Sequence, residues 1–207
     1  MGLIYRYCWT VAKFTALNFF RLQVYGRENL LEEGSAIIAS NHQSFLDPPL
    51  VGICMERELH YLARKSLFDI PLLGKLLPHL HVVGVDPAGA DMSSLKSVIR
   101  LLKDGGGTIV FPEGTRSSDG ALLPAKAGLG LIVAKTLAPV IPVRVFGAFN
   151  AFPRGAKFPQ RAAVTVVIGK PIYFTKADVG GDPREVYQRI SDQVMAQIAA
   201  LENPRGE

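Results

Sequence analysis

Hydrophobic and polar positions alternate with several different periods along this chain, and each period predicts an element. Residues 2–20, "GLIYRYCWTVAKFTALNFF", run apolar and aromatic with no glycine or proline after Gly2. Arg6, Thr10 and Lys13 recur at i, i+4 and i+7, a narrow polar stripe on an otherwise apolar helix. "AIIAS" at 36–40 is a short apolar run of the kind that makes a buried strand, and "PLVGICM" at 49–55 reads as a helix. "LHYLA" at 59–63 and "LHVVGV" at 80–85 predict two more strands. "DMSSLKSVIRLLKDGGG" is an amphipathic helix with Leu95, Val98, Ile99 and Leu102 on its apolar face and Gly105 to Gly107 as its stop.

"TIVF" at 108–111 reads as a buried strand, and 128–138 as a helix weakened by its glycines. "VIPVRVFG" and "AVTVVIG" are further strands; Pro142 inside the first argues for a sheet edge or a bulge. The last helix opens on Asp182 as N-cap, with Pro183 at N1 and Glu185 at N3. Its core face is Val186, Ile190, Val194, Ile198 and Leu201. Residues 150–162 are the longest irregular piece. Strands alternating with helices make the fold α/β, a mixed, largely parallel central sheet flanked by helices. One α/β domain over 23–207 follows, preceded by an N-terminal helix over 1–22.

Length and composition narrow the picture. A chain of 207 residues buries about 70% of its unfolded surface, so it needs no disulfide staples. The two cysteines, Cys8 and Cys54, have neither metal-ligand nor redox spacing and read as reduced thiols facing a cytosol. The formal net charge of +5 favours anionic partners. Nucleic acid is disfavoured, because no Lys/Arg run appears and aromatics do not interleave with the basic residues. Hydrophobic residues make up 48% of the chain, yet no stretch of 18 apolar residues lacks a charge. A spanning helix is therefore not expected. Residues 1–22 instead suit a helix lying in an anionic membrane interface, with Arg6 and Lys13 snorkelling. A helix packed on its own core fits the same pattern equally well. On the interfacial reading, removing the helix would release the protein from vesicles and leave the fold intact.

Candidate chemistry sits at two predicted strand ends. In "NHQSFLD", 41–47, His42 and Asp47 are five residues apart. At about 3.6 residues per helical turn they fall on different faces, and in a strand they have opposite parity. They meet only if the chain turns between them. Such a pair could form a dyad, with the imidazole taking a proton from a substrate hydroxyl and the carboxylate fixing its tautomer. The spacing alone leaves open a capping role for Asp47, ahead of Pro48 at N1, and a satisfied buried His42. "FPEGTRS", 111–117, places Glu113, Gly114, Thr115 and Arg116 in a turn after a buried strand. There Arg116 could hold a phosphate, and Glu113 could accept from a substrate hydroxyl or brace Arg116. Arg64 and Lys65 could add charge to the same cleft. His79 and His81 would share a strand face, but no third ligand is evident and no metal is expected.

"NHQSFLD" resembles the N-H-x-x-x-x-D block of the glycerolipid acyltransferases, and "FPEGTRS" resembles their F-P-E-G-T-R block. "VIPV" is similar to their proline-containing block, and "VYGRENL" and "ARKSLFDIPLLG" fall in the expected order around the first block. The resemblance covers roughly residues 20–175 and is strongest to the 1-acylglycerol-3-phosphate acyltransferase branch. It implies an enzyme of phospholipid biosynthesis that moves a fatty acyl group from acyl-CoA or acyl carrier protein to lysophosphatidic acid, giving phosphatidic acid. In that reading His42 is the general base and Asp47 its partner, while Glu113, Gly114 and Arg116 bind the phosphorylated acceptor; Thr115 in the same block and Lys65, as a replacement for a family arginine, are added as further acceptor candidates from their positions. No cofactor is implied beyond the thioester co-substrate. The implied location is the inner face of the cytoplasmic membrane, held peripherally or monotopically. The chain departs from the family in its second block, where "GVDPAGAD" has Pro87 at the place of the usual arginine.

Overall fold

The computed structural model describes residues 1–85 and 92–206; Pro87 lies outside them. Among the described residues one sheet is built from β1 (Gln23–Tyr25), β2 (Ala36–Ser40), β3 (His60–Arg64), β4 (Val82–Val85), β5 (Gly107–Val110), β6 (Val140–Phe146) and β7 (Thr165–Ile168). The strand order is β1-β7-β6-β2-β5-β3-β4. All neighbouring pairs are parallel except β6 with β7. The helices are α1 (Leu3–Asn18), α2 (Asp47–Gly52), α3 (Leu73–Leu76), α4 (Met92–Lys103), α5 (Gly128–Thr136), α6 (Ala148–Ala151) and α7 (Pro183–Ala200).

The unbroken apolar runs explain the middle of the sheet. Every residue of β2 and β5 is buried, as in strands covered on both faces. Alternate side chains of β2 go to opposite layers. Ile38 joins Leu50, Met55 and Val143 on the side of α1 and α2, and Ile37 joins Val98, Ile132, Val140 and Ile190 under α4, α5 and α7. The α5 glycines serve the second layer. A Cβ on Gly130 would come within 1.9 Å of Tyr187 O, so only glycine lets α5 and α7 approach this closely. The α7 face buries Val186, Ile190, Val194 and Ile198 as expected, but Leu201 lies past the helix as its C-cap and is only half-buried, with Met195 buried in addition; the helix starts at Asp182, which accepts from the N–H groups of Arg184 and Glu185.

Several boundaries differ from the sequence pattern. The 80–85 strand begins only at Val82; residues 77–80 form a 3₁₀ turn, and His81 sits at φ 55°. His79 and His81 therefore do not share a strand face. Pro142 is not on an edge, since β6 lies between β2 and β7. It falls at a register slip: from Val140 to Val143 the strand advances three residues against four between Ile168 and Ile172. Pro142 O accepts from Gly169 N–H at that slip (2.8 Å), and the missing proline N–H interrupts no regular ladder.

One arc of the N-terminal helix packs on the core, as the second expectation has it, and the other is exposed. Tyr5 and Ala16 are buried, Trp9 Nε1 donates to Met55 O (3.0 Å), and Tyr5 Oη accepts from Leu59 N–H (3.1 Å). Trp9 and Phe19 thus face inward. The opposite arc, with Leu3 77%, Tyr7 70% and Phe14 69% exposed, faces solvent beside Ile4, Val11 and Leu17. Removing residues 1–20 would strip Tyr5, Ala16 and Phe20 from the core, so truncation is expected to damage the fold rather than spare it.

Candidate active site

Both candidate turns leave the same end of the sheet, because β2 and β5 are parallel neighbours. That end is where open α/β sheets bind ligands. After β2 the backbone is pinned to β6 by an amide that imitates a peptide. Asn41 Nδ2 donates to Val145 O (3.1 Å), and Asn41 Oδ1 accepts from Val145 N–H (2.8 Å). Gln43 Nε2 also donates to Val145 O (2.7 Å).

The chain then turns so that His42 and Asp47 meet, with Nδ1 2.8 Å from Oδ2. Asp47 is the first residue of α2, not its cap; Leu46 flanks the helix. Its carboxylate points backwards, where Oδ2 also accepts from the N–H groups of Gln43 (2.6 Å) and Ser44 (2.7 Å). One fully buried oxygen thus closes the turn and anchors the imidazole. An Nδ1–H donated to that oxygen leaves Nε2 as the basic nitrogen, and the 17% exposure of the side chain gives it access to the cleft. The ring stacks on Phe111 with centroids 4.0 Å apart.

The turn after β5 locks His42 from the other side. Glu113 Oε1 accepts from His42 N–H (2.9 Å), and Ser117 N–H donates to His42 O (2.8 Å). Glu113 is only 1% exposed, and its second oxygen accepts from Leu123 N–H (3.3 Å). This corrects the expected contact with a substrate hydroxyl or with Arg116: the carboxylate is spent inward, holding the backbone of His42. Gly114 turns the chain at φ 65°, and a Cβ there would press on the Lys126 side chain. Thr115 is half-buried in the same turn. Arg116 lies over the Phe45 ring, its Cζ 3.4 Å from the centroid, and its Nη1 is buried without a hydrogen-bond partner. Burial, followed by the positive fields of Arg154 and Arg64, disfavours its charge.

Arg64 ends β3, next to β5, on this side of the sheet. Lys65 leans the other way, its stem against Gly84 of β4. The structure thus gathers His42, Asp47, Glu113, Gly114 and Arg116, and sets Lys65 towards the outer strand. Asn41, Phe45 and Phe111 are additions. The sequence marked them only as members of the two quoted blocks. Among the described residues no group of three His, Cys, Asp or Glu could hold a metal ion.

Burial raises the Glu113 carboxyl to about 7, against the lowering effect of its two N–H donors. A carboxyl raised on folding favours the protonated native state, so its contribution to stability is full below the unfolded value near 4.5 and is lost as pH rises through about 7. Denaturant unfolding of Glu113→Gln at pH 5 and pH 8 should show this slope missing, a difference of roughly 3 kcal/mol. Identical pH slopes in both proteins would show that Glu113 is not titrating in this window.

The site is thus a histidine–carboxylate pair at parallel strand ends, beside a partly buried guanidinium. The Acyltransferase family profile matches residues 21–146, more than half of the chain, and the chain belongs to that family. The 1-acyl-sn-glycerol-3-phosphate acyltransferase of Bacillus subtilis (strain 168) is 29% identical over 202 residues, covering 97% of this chain and 98% of its own length. The chloroplastic enzyme BAT2 of the same name from Brassica napus is 35% identical over 81% of this chain, which spans 50% of that relative's length. The crystal structure of the 1-acyl-sn-glycerophosphate (LPA) acyltransferase PlsC from Thermotoga maritima superimposes with a TM-score of 0.75 at 26% identity. It covers 96% of this chain and 81% of its own.

Proposed function

We propose that this protein transfers a fatty acyl group from a thioester, acyl-CoA or acyl carrier protein, to the free hydroxyl of lysophosphatidic acid, giving phosphatidic acid. The observation that carries the reading is the 2.8 Å His42–Asp47 contact opening on the same strand ends as the Arg116 guanidinium. His42 Nε2 removes the hydroxyl proton as the acceptor oxygen bonds to the thioester carbonyl carbon. Asp47 balances the imidazolium from its buried position. When the tetrahedral intermediate collapses, the C–S bond breaks and the imidazolium returns its proton to the departing thiolate. No covalent enzyme intermediate is needed. Arg116 meets the acceptor phosphate through its planar fork. The similarity to relatives bearing the 1-acyl-sn-glycerol-3-phosphate acyltransferase name supports this acceptor.

Thioester release measured across a panel of lyso-lipids tests the reading. Release that depends on lysophosphatidic acid is expected. Release without acceptor would make the protein a thioesterase, a preference for lyso-aminolipids would change the acceptor, and no release would leave a lipid-binding protein.

No helix among the described residues is long and apolar enough to cross a membrane. The outward arc of α1 supports attachment to one leaflet, and the location we assign is the inner face of the cytoplasmic membrane. The absence of any Asp or Glu between Gly120 and Ala177 supports an anionic surface as partner. Replacing Leu3, Tyr7 and Phe14 together by glutamine should weaken binding to anionic vesicles on the order of 100-fold, at about 1 kcal/mol for each partly inserted side chain. The thermal melt should hardly move, because these side chains touch little of the core. Unchanged vesicle binding in this variant would remove α1 as the lipid-facing element.

A further inference from the structure

The loop between α6 and β7 is closed on itself and rooted in the site. Gln160 N–H donates to Ala151 O (2.7 Å), which brings its two ends together. The Ser44 hydroxyl, two residues from His42, donates to Phe152 O (2.9 Å). The Phe152 ring lies 5.8 Å from that of Phe45, the ring that carries the Arg116 guanidinium. Immediately after Phe152 the chain makes a tight turn, Pro153 to Ala156, closed by Ala156 N–H to Pro153 O (3.2 Å). Gly155 provides the positive φ of 91° that the turn requires. Arg154 is the second residue of this turn. It is exposed, held by a closed backbone and two residues beyond Phe152, whose ring packs on the Phe45 ring under Arg116.

Its charge has no local balance. The positive fields of Arg154 and Arg64 both reach Arg116. Among the described residues none of the three guanidiniums forms a salt bridge with a carboxylate. The loop itself contains no acidic residue. Asp47 offsets part of this positive field at Arg116, but the buried Nη1 still has no hydrogen-bond partner, and an anion would supply one. A phosphate monoester has three terminal oxygens, each able to accept from a guanidinium.

We propose that Arg154 is a ligand of the acceptor phosphate, forming with Arg116 and Arg64 a three-guanidinium cradle supplied by the end of β3 and the loops after β5 and α6. The inference rests on the lysophosphatidic acid reading above. It also bears on the Pro87 departure: a charge absent from the second block of the sequence would be offset by one on the 151–160 loop.

The test compares lysophosphatidic acid with a monoacylglycerol of the same acyl chain, in uncharged detergent micelles so that membrane charge plays no part. For Arg154→Gln, KM for lysophosphatidic acid should rise by about tenfold or more. kcat, the thioester KM and the parameters for monoacylglycerol should stay within about threefold. Arg154→Lys should recover part of the loss, and Lys157→Gln, on the same loop, should behave as wild type. If the wild type prefers the phosphorylated acceptor and Arg154→Gln keeps that preference, the cradle is wrong while the acceptor reading stands. If the thioester KM rises instead, Arg154 serves a donor phosphate and the proposal falls. A wild type with no preference for the phosphate overturns the acceptor reading, and the cradle with it.

Discussion

Replacing His42 by alanine should lower kcat/KM by about 10²–10⁴-fold and leave the protein folded. The backbone of residue 42 is held through its N–H by Glu113 and through its carbonyl by Ser117, and neither bond needs the imidazole. Asp47 keeps its two N–H donors from Gln43 and Ser44, so its carboxylate is not stranded. What disappears is the stack on Phe111 and the only base the mechanism uses. Stopped assays of thioester consumption with lysophosphatidic acid, together with a thermal melt, read both halves. Near-normal turnover in a purified, folded variant would sink the general-base mechanism.

Asp47→Asn should cost on the order of 10²-fold in kcat/KM, and the geometry says why it stops short of the alanine variant at His42. The asparagine must place its oxygen at the Oδ2 position, because an amide –NH₂ there would face the N–H groups of Gln43 and Ser44. The oxygen still accepts from Nδ1, so the imidazole keeps its tautomer and loses only the negative charge that stabilises the imidazolium. The –NH₂ then occupies the Oδ1 position, where the buried oxygen has no partner. An unsatisfied buried donor costs about 1–3 kcal/mol. Asp47→Ala removes the acceptor of all three donors and should cost more, about 3–5 kcal/mol, through loss of the turn itself. Urea unfolding and kcat/KM on the two variants separate charge from scaffold. Equal activity losses with equal stability losses would make Asp47 purely structural.

The elements that were legible in the sequence are those whose period had a single interpretation. The alternation into α/β, the apolar runs of β2 and β5, and the Asp182 start of α7 follow from patterns that other folds do not share. The meeting of His42 with Asp47 was legible only as a requirement for a turn. Which way the carboxylate points depends on Gln43 and Ser44 offering their N–H groups, and spacing carries no such information. Glu113 shows the same limit: a carboxylate in a glycine turn looks solvent-facing until the N–H of His42, 71 positions away in sequence, is brought against it. Pro142 reads as an edge or a bulge, and the register slip against Ile168–Ile172 is the second of these; the sequence cannot choose between them because a slip is a property of two strands and only one contains the proline. In α1 the polar stripe of Arg6, Thr10 and Lys13 separates two apolar arcs, and hydrophobicity alone does not say which arc has a protein partner.

Under the proposed attachment to a leaflet, that two-sided helix would also set how the substrate must be counted. α1 packs on the layer that includes α2, and α2 begins at Asp47. With its outer arc seated in a leaflet, the cleft would be held at a set height above the bilayer plane and could not reorient freely. The acceptor would then be encountered by lateral diffusion, and its effective concentration would be a surface density. An apparent KM expressed as a molarity would change with the amount of inert phospholipid present, whereas one expressed as a mole fraction of the membrane would not.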